Sequence, residues 1–208
     1  YRTIKVTKMI ESIEVGRKED GNRSIADKII KRLHDLDKTV ENNQGYGHGI
    51  TEGLRNSRGI FVGYTHADLQ TDPKDVIKAL NIIENQPDPE NSYIKGDRKG
   101  RALFDSFFSW GMSLFESLYL RMKLWDINAQ PNIFHKSFFL SLDKIPKDFS
   151  LDLYLLYMAK KKGLTVQRFK VLFPERIHGE SSWNTGLPAK WKFIKRTMEF
   201  SLKLKKEL

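Results

Sequence analysis

Residues 64–73 read YTHADLQTDP and follow GIFVG, a short apolar run with the pattern of a buried strand. Side chains alternate along an extended segment, so His66, Asp68 and Gln70 fall on one side of it. Each can offer a lone pair to a metal ion or to a hydrogen-bond donor. Two readings fit those residue types. One is a solvated strand end leading into a helix cap; the other is a metal site holding a phosphorylated ligand.

The surrounding elements decide which reading gains weight. Residues 24–36, SIADKIIKRLHDL, carry a helical pattern with Ser24 as N-cap. The segment NNQGYGHGITEGLRNSRG is glycine-rich at its start and helical after Gly47. Residues 60–64 form a strand, and Asp72-Pro73 opens a helix to about Asn85, with Asp72 capping and Pro73 at the first helical position. QPDPEN is a loop and SYIKG a short strand; a long aromatic helix covers 102–121. NIFHK reads as a strand, LDLYLLYMAKKKG as a helix closed by Gly163, and LTVQRFKVLF as a strand. Strands alternating with helices predict an α/β sandwich with a mostly parallel central sheet. In such sheets ligands sit beyond the carboxyl ends of the strands, and YTHADLQ occupies such an end.

At 208 residues, without repeats or an internal linker, the chain is expected to form one domain. No apolar run reaches the roughly 18 residues needed to span a bilayer, and no signal peptide is recognisable. The absence of cysteine excludes disulfides and thiolate chemistry and is compatible with a cytoplasmic location. The net charge of +10 asks for an acidic partner: a phosphorylated substrate, an anionic membrane surface or nucleic acid. No recognisable nucleic-acid-binding signature accompanies the charge, so nucleic acid is not expected. The basic excess is greatest in residues 187–208, an amphipathic helix gathering Trp191, Ile194, Met198 and Leu202 near one face. Packing on its own domain, contact with a membrane surface and contact with a partner helix all suit that helix.

Taken in order, the elements resemble GT-A glycosyltransferases (Rossmann-like nucleotide-diphospho-sugar transferases of the family 2 type), especially the polyprenyl-phosphate or dolichol-phosphate sugar transferase group. The matching text is NNQGYGHGITEGLRNSRGIFVGYTHADLQTDP (42–73), YIKGDRKGR (93–101), WDINAQPNIFHK (125–136) and LDLYLLYMAKKKGLTVQRFKVLFPERIHGESSW (151–183). Its order and spacing cover roughly residues 42–183. The resemblance implies a GT-A fold and sugar transfer from a nucleotide-sugar donor, with Mn²⁺ or Mg²⁺ held by a D-x-D pair and neutralising charge on the departing diphosphate.

Carried over residue by residue, Asp68 matches the second acid and Gln70 the family's glutamine, while His66 stands where the first acid belongs. An imidazole there either ligates a softer metal such as Mn²⁺ or bonds phosphate directly. Gly45 and Gly47 match the loop that passes close to the donor diphosphate, where side chains do not fit; a glycine-led helix start explains them equally. His48 and Asn43 in that loop take no role. Arg98 and Arg101 match the arginines that grip the acceptor phosphate, a lipid phosphate in this group, with Ser106 or Ser109 adding a hydroxyl. Asp126 matches a loop acid that orients the sugar or acceptor, caps a turn, or acts as base if the acceptor is a hydroxyl. Arg176, His178 and Ser181 match a loop closing over the donor diphosphate.

Further departures accompany the match. The leading P-x-Y-N-E and D-D-G-S-x-D segments are missing or divergent here; Glu19, Asp20 and Gly21 are the nearest echo. The alternative expectation is therefore a glycosyltransferase-like binding module without catalysis. For an active transferase of this group the expected location is the cytoplasm, peripheral at the cytoplasmic membrane face.

Overall fold

The computed structural model describes residues 44–65, 71–100, 103–174 and 187–206. The helix expected at 24–36 and the echo at 19–21 lie outside the described residues. The first described element, α1 (Tyr46–Asn56), buries Gly47, Ile50, Thr51 and Leu54, the three-and-four spacing of a one-sided helix. Strand β1 (Phe61–Tyr64) follows. Helix α2 (Lys74–Glu84) starts where the Asp72 carboxylate accepts the Lys74 amide at 2.9 Å, and it buries Asp75, Val76, Ala79 and Ile83. Strand β2 (Ser92–Lys99) runs longer than SYIKG alone predicts, because its second half pairs with β4 (Thr165–Leu172) over all eight residues. Between them lie α3 (Leu103–Tyr119), β3 (Asn132–His135), α4 (Lys136–Leu140) and α5 (Leu151–Lys161). The chain's last described element is α6 (Leu187–Lys206). The short α4 has no counterpart in the sequence reading; the His135 side chain caps it by accepting from the Ser137 amide.

The fold is α/β: a four-stranded open sheet in the order β1-β3-β2-β4, flanked by helices. A mostly parallel sheet was the expectation, and the described sheet is instead mixed. Strand β3 pairs antiparallel with both β1 and β2, and only β2 and β4 pair in parallel. The cause is the connection after β2. Helix α3 is followed by residues 120–131, which bring the chain back to the edge where β2 ends, so β3 descends between two ascending strands. Strict alternation of helix and strand in sequence does not reveal that return.

Alternation along the strands sends side chains to two cores. Ile94 and Ile133 meet Val76, Ala79 and Ile83 of α2 on one face. Val62, Tyr64, Tyr93 and Phe134 meet Ile50, Leu54 and the α5 residues Leu151–Tyr157 on the other. Helix α5 is apolar nearly all round because it lies inside that larger core.

Helix α6 packs on α3, where Ser201 donates to the Glu116 carboxylate at 2.5 Å. Ile194 and Met198 are half-buried as the sequence pattern predicts. Leu202, expected on that same face, is instead 46% exposed, and Ser201 and Leu204 are the buried positions. The contact face is rotated because α6 is registered by the Ser201–Glu116 bond. Trp191 lies among the residues whose side chains are not described. Among the described residues no helix is long and apolar enough to cross a membrane.

Candidate functional site

One sheet edge collects the chemistry-bearing segments. Tyr64, the last residue of β1, lies across from Asn132, the first of β3, and Lys95 of β2 lies on the other side of Asn132. The Gly96 amide donates to Pro131 O at 3.0 Å, and the Phe173 amide beyond β4 donates to Lys99 O at 2.9 Å. The carboxyl ends of β1, β2 and β4 and the loop 120–131 therefore share one edge, at which open α/β sheets bind ligands.

His66, Asp68 and Gln70 follow β1 directly but lie outside the described residues. So do Arg101, Arg176, His178 and Ser181. Thr65 and Thr71, which flank 66–70, place their hydroxyls 3.4 Å apart. Among the described residues no cluster of three His, Asp or Glu side chains forms a metal site.

Arg98 and Asp126, assigned separate roles from sequence, are partners. The Asp126 carboxylate accepts the Arg98 backbone amide and Nε, each at 2.9 Å, and also Nη2. Both side chains are only 8% exposed. Burial alone would raise the Asp126 carboxyl, but the Arg98 charge, the Arg98 hydrogen bonds and nearby Lys95 outweigh it and hold it below the ordinary carboxylate range. A carboxylate held that way is a poor proton acceptor and a good positioning group. The Arg98 guanidinium also lies 5.3 Å from the Phe173 ring centre. Beside the pair is a cleft of about 90 Å³ bordered by Asp97, Arg98, Lys99, Ser109, Trp110 and Trp125. That volume is well below the roughly 300 Å³ of a site that encloses a whole small-molecule ligand. Ser109 stands at this cleft, as one of the two serines expected near the arginines; Ser106 falls earlier in α3.

Gly45 and Gly47 have a packing reason. Gly45 sits at φ +114°, and a Cβ at Gly47 would stand 2.4 Å from Pro146 O and 2.6 Å from Asp148 O. The glycine loop is seated on residues 146–148, and His48 donates its amide to Lys147 O at 2.9 Å. Close approach to backbone thus already requires glycine there.

Below the edge lies a polar layer that sequence reasoning missed. Asp152, in the first turn of α5, is 2% exposed. It accepts from Tyr64 at 2.8 Å and Tyr46 at 3.2 Å, with Asn132 Nδ2 at 3.5 Å. Lys95 is fully buried and donates to Ala129 O at 2.7 Å and Asn132 Oδ1 at 2.8 Å. Tyr93 donates to the same Asn132 oxygen, and Gln130 donates to Tyr46. Burial pushes the Lys95 ammonium down to about 7 against the pull of Asp152, and it pushes the Asp152 carboxyl up against the pull of Lys95. Burial and the Asp152 charge raise Tyr46 and Tyr64, so both stay protonated donors. The layer fixes Tyr64, Asn132 and residues 129–130, from which the edge loops depart. The one signal available in sequence was an acid near the start of an otherwise apolar helix, LDLYLLYM.

No protein-family model matches the chain, and no curated protein matches it.

Proposed function

We propose that this chain transfers a sugar from a nucleotide-sugar donor to a phosphorylated acceptor such as a polyprenyl phosphate, on a GT-A-type α/β sandwich. The observation that carries this reading is the shared sheet edge. Segments that the family resemblance nominates separately along the sequence leave the sheet side by side, from the ends of β1, β2 and β4 and from the loop before β3.

In the reaction an acceptor oxygen bonds to the anomeric carbon as that carbon's bond to the donor diphosphate breaks, releasing nucleoside diphosphate. A lipid phosphate oxygen is already anionic and needs no base. The hold of Arg98 on Asp126 favours this acceptor, since it makes Asp126 a poor base for a hydroxyl. Arg98, kept in place by Asp126, and Arg101 attract and orient the acceptor phosphate. Arg176, His178 and Ser181 would close over the donor diphosphate. His66, Asp68 and Gln70 would hold Mn²⁺ or Mg²⁺, which supplies charge neutralisation for the leaving diphosphate.

A donor-bound state should be visible without turnover. Nucleoside diphosphate with Mn²⁺ is expected to raise the melting temperature of the full chain, and Asp68→Asn to erase the rise. Arg101→Gln should raise the acceptor's apparent KM while leaving the donor's unchanged. The absence of any shift with uridine, guanosine, cytidine, adenosine or thymidine diphosphate would sink the donor site. A shift without sugar transfer to any phosphorylated acceptor would instead favour the binding module.

A further inference from the structure

Residues 109–119 of α3, the part whose side chains are described, are turned inside out. Their inward positions include Ser113, 2% exposed, and Glu116, fully buried. Their outward positions are Trp110, Leu114, Phe115 and Leu118, which are 46%, 43%, 37% and 71% exposed. Spacings of four and eight put Trp110, Leu114 and Leu118 in one stripe, with Phe115 beside it. A water-facing surface helix has the opposite arrangement. A contiguous apolar face of this kind marks a surface that meets something other than water.

The charges around it identify what it meets. Glu116 is the only acid between residues 109 and 125, and it is buried, while Arg121 and Lys123 stand exposed just past the helix. On the other flank Lys205 lies 4.3 Å from the Tyr119 ring centre, and Tyr119 stacks on Phe115 at 5.8 Å. Lys203, Lys205 and Lys206 are all exposed along that flank. A second copy of the chain docking face to face would bring basic rims against each other. An anionic lipid surface satisfies both features, taking the apolar stripe among acyl chains and the lysines and arginine at the headgroups. Trp125, 44% exposed, adds a second indole at the cleft that Trp110 also borders.

We propose that the outward face of α3, flanked by Arg121, Lys123 and the lysines of α6, docks in the headgroup region of an anionic bilayer without crossing it. This goes beyond the proposed transfer reaction and does not depend on it. It moves the membrane-facing apolar surface from the C-terminal helix to α3 and leaves the C-terminal helix the charges. It also brings lipid headgroups to the cleft beside Arg98.

The test uses the full chain with vesicles of phosphatidylcholine, alone or with about a third phosphatidylglycerol. Cosedimentation with the anionic vesicles is expected, with binding about tenfold weaker to neutral ones. Leu114→Gln with Leu118→Gln should weaken anionic-vesicle binding about tenfold or more with no fall in melting temperature. Bromine on the acyl chains should quench tryptophan fluorescence, and Trp110→Phe with Trp125→Phe should remove most of that quenching. No binding to anionic vesicles at low salt overturns the proposal. So does wild-type binding by the double glutamine variant, which would mean adsorption by charge alone. Quenching that survives the two Trp→Phe changes would return the contact to Trp191 or Trp183. A dimer that dissociates in the glutamine variant, without vesicle binding, would assign the face to a second copy.

Discussion

Asp152 and Glu116 are both buried acids on helices, and their surroundings are built in opposite ways. Asp152 accepts from two tyrosines and lies within the pull of Lys95, in a layer whose polar groups mostly satisfy one another. Among the described residues Glu116 accepts from Ser201, and its other oxygen has no partner. A closed buried network holds a single geometry, whereas a half-satisfied one leaves its helix pair less specified. The sheet edge therefore rests on the more fully paired of the two, although Gln130 Oε1 has no partner among the described residues. Residues 109–119 of α3 turn polar Ser113 and Glu116 inward and apolar Trp110, Leu114, Phe115 and Leu118 outward, while α6 buries Ser201 and Leu204 and exposes its described lysines.

The largest expected effect lies in the more fully paired region. Asp152→Ala leaves the Tyr64 and Tyr46 hydroxyls without their acceptor and removes the negative charge near buried Lys95, and should cost about 3–5 kcal/mol in denaturant unfolding. A loss under about 1 kcal/mol would show that the layer does not hold the edge.

The buried acids and the buried lysine should respond oppositely to pH. Burial raises Glu116 to about 7, with the Ser201 bond pulling the other way. The folded state then binds a proton that the unfolded state releases, so stability is fully present below the ordinary carboxylate range and is lost as pH rises toward 7. Asp152, also raised, acts in the same direction. Lys95 is lowered to about 7, so the folded state sheds a proton that the unfolded state keeps, and stability climbs from pH 7 toward 10. A stability minimum near neutrality follows. Glu116→Gln should flatten the acid limb by about 2 kcal/mol and leave the alkaline limb intact. Unchanged pH profiles on both sides would remove Glu116 from this account.

The smallest effect is expected on the outer face of α3. Leu118→Gln should alter stability by no more than about 0.5 kcal/mol in water, because the side chain is already 71% exposed. Equal unfolding midpoints beside unequal vesicle binding would sharpen the contrast between the regions. A loss of several degrees would show that Leu118 supports the fold.

Much of the element order was legible because its signals are local. Asp72 before Lys74, the three-and-four spacing in α1 and α2, and the Gly163 stop each depend on neighbours within a few residues. The direction of β3 was not legible, because it depends on where residues 120–131 return the chain, and no local pattern encodes that. Arg98 and Asp126 were each nominated from sequence, yet their pairing was hidden by the 28 residues between them. Asp152 was hidden because one acid near a helix start reads as a cap until three other segments bring it Tyr46, Tyr64 and Asn132.

The sequence by itself determined which residue types are available for chemistry, much of the pattern of helix and strand, and that the chain is strongly basic. Those properties follow from residue type and short-range periodicity. Tertiary structure alone decided that Arg98 and Asp126 pair, that Lys95 and Asp152 share a buried layer, and that residues 109–119 of α3 present their apolar side outward. Each of these depends on which distant segments meet and on how far water is excluded where they do, and burial sets both the charge of a side chain and the value of its partners.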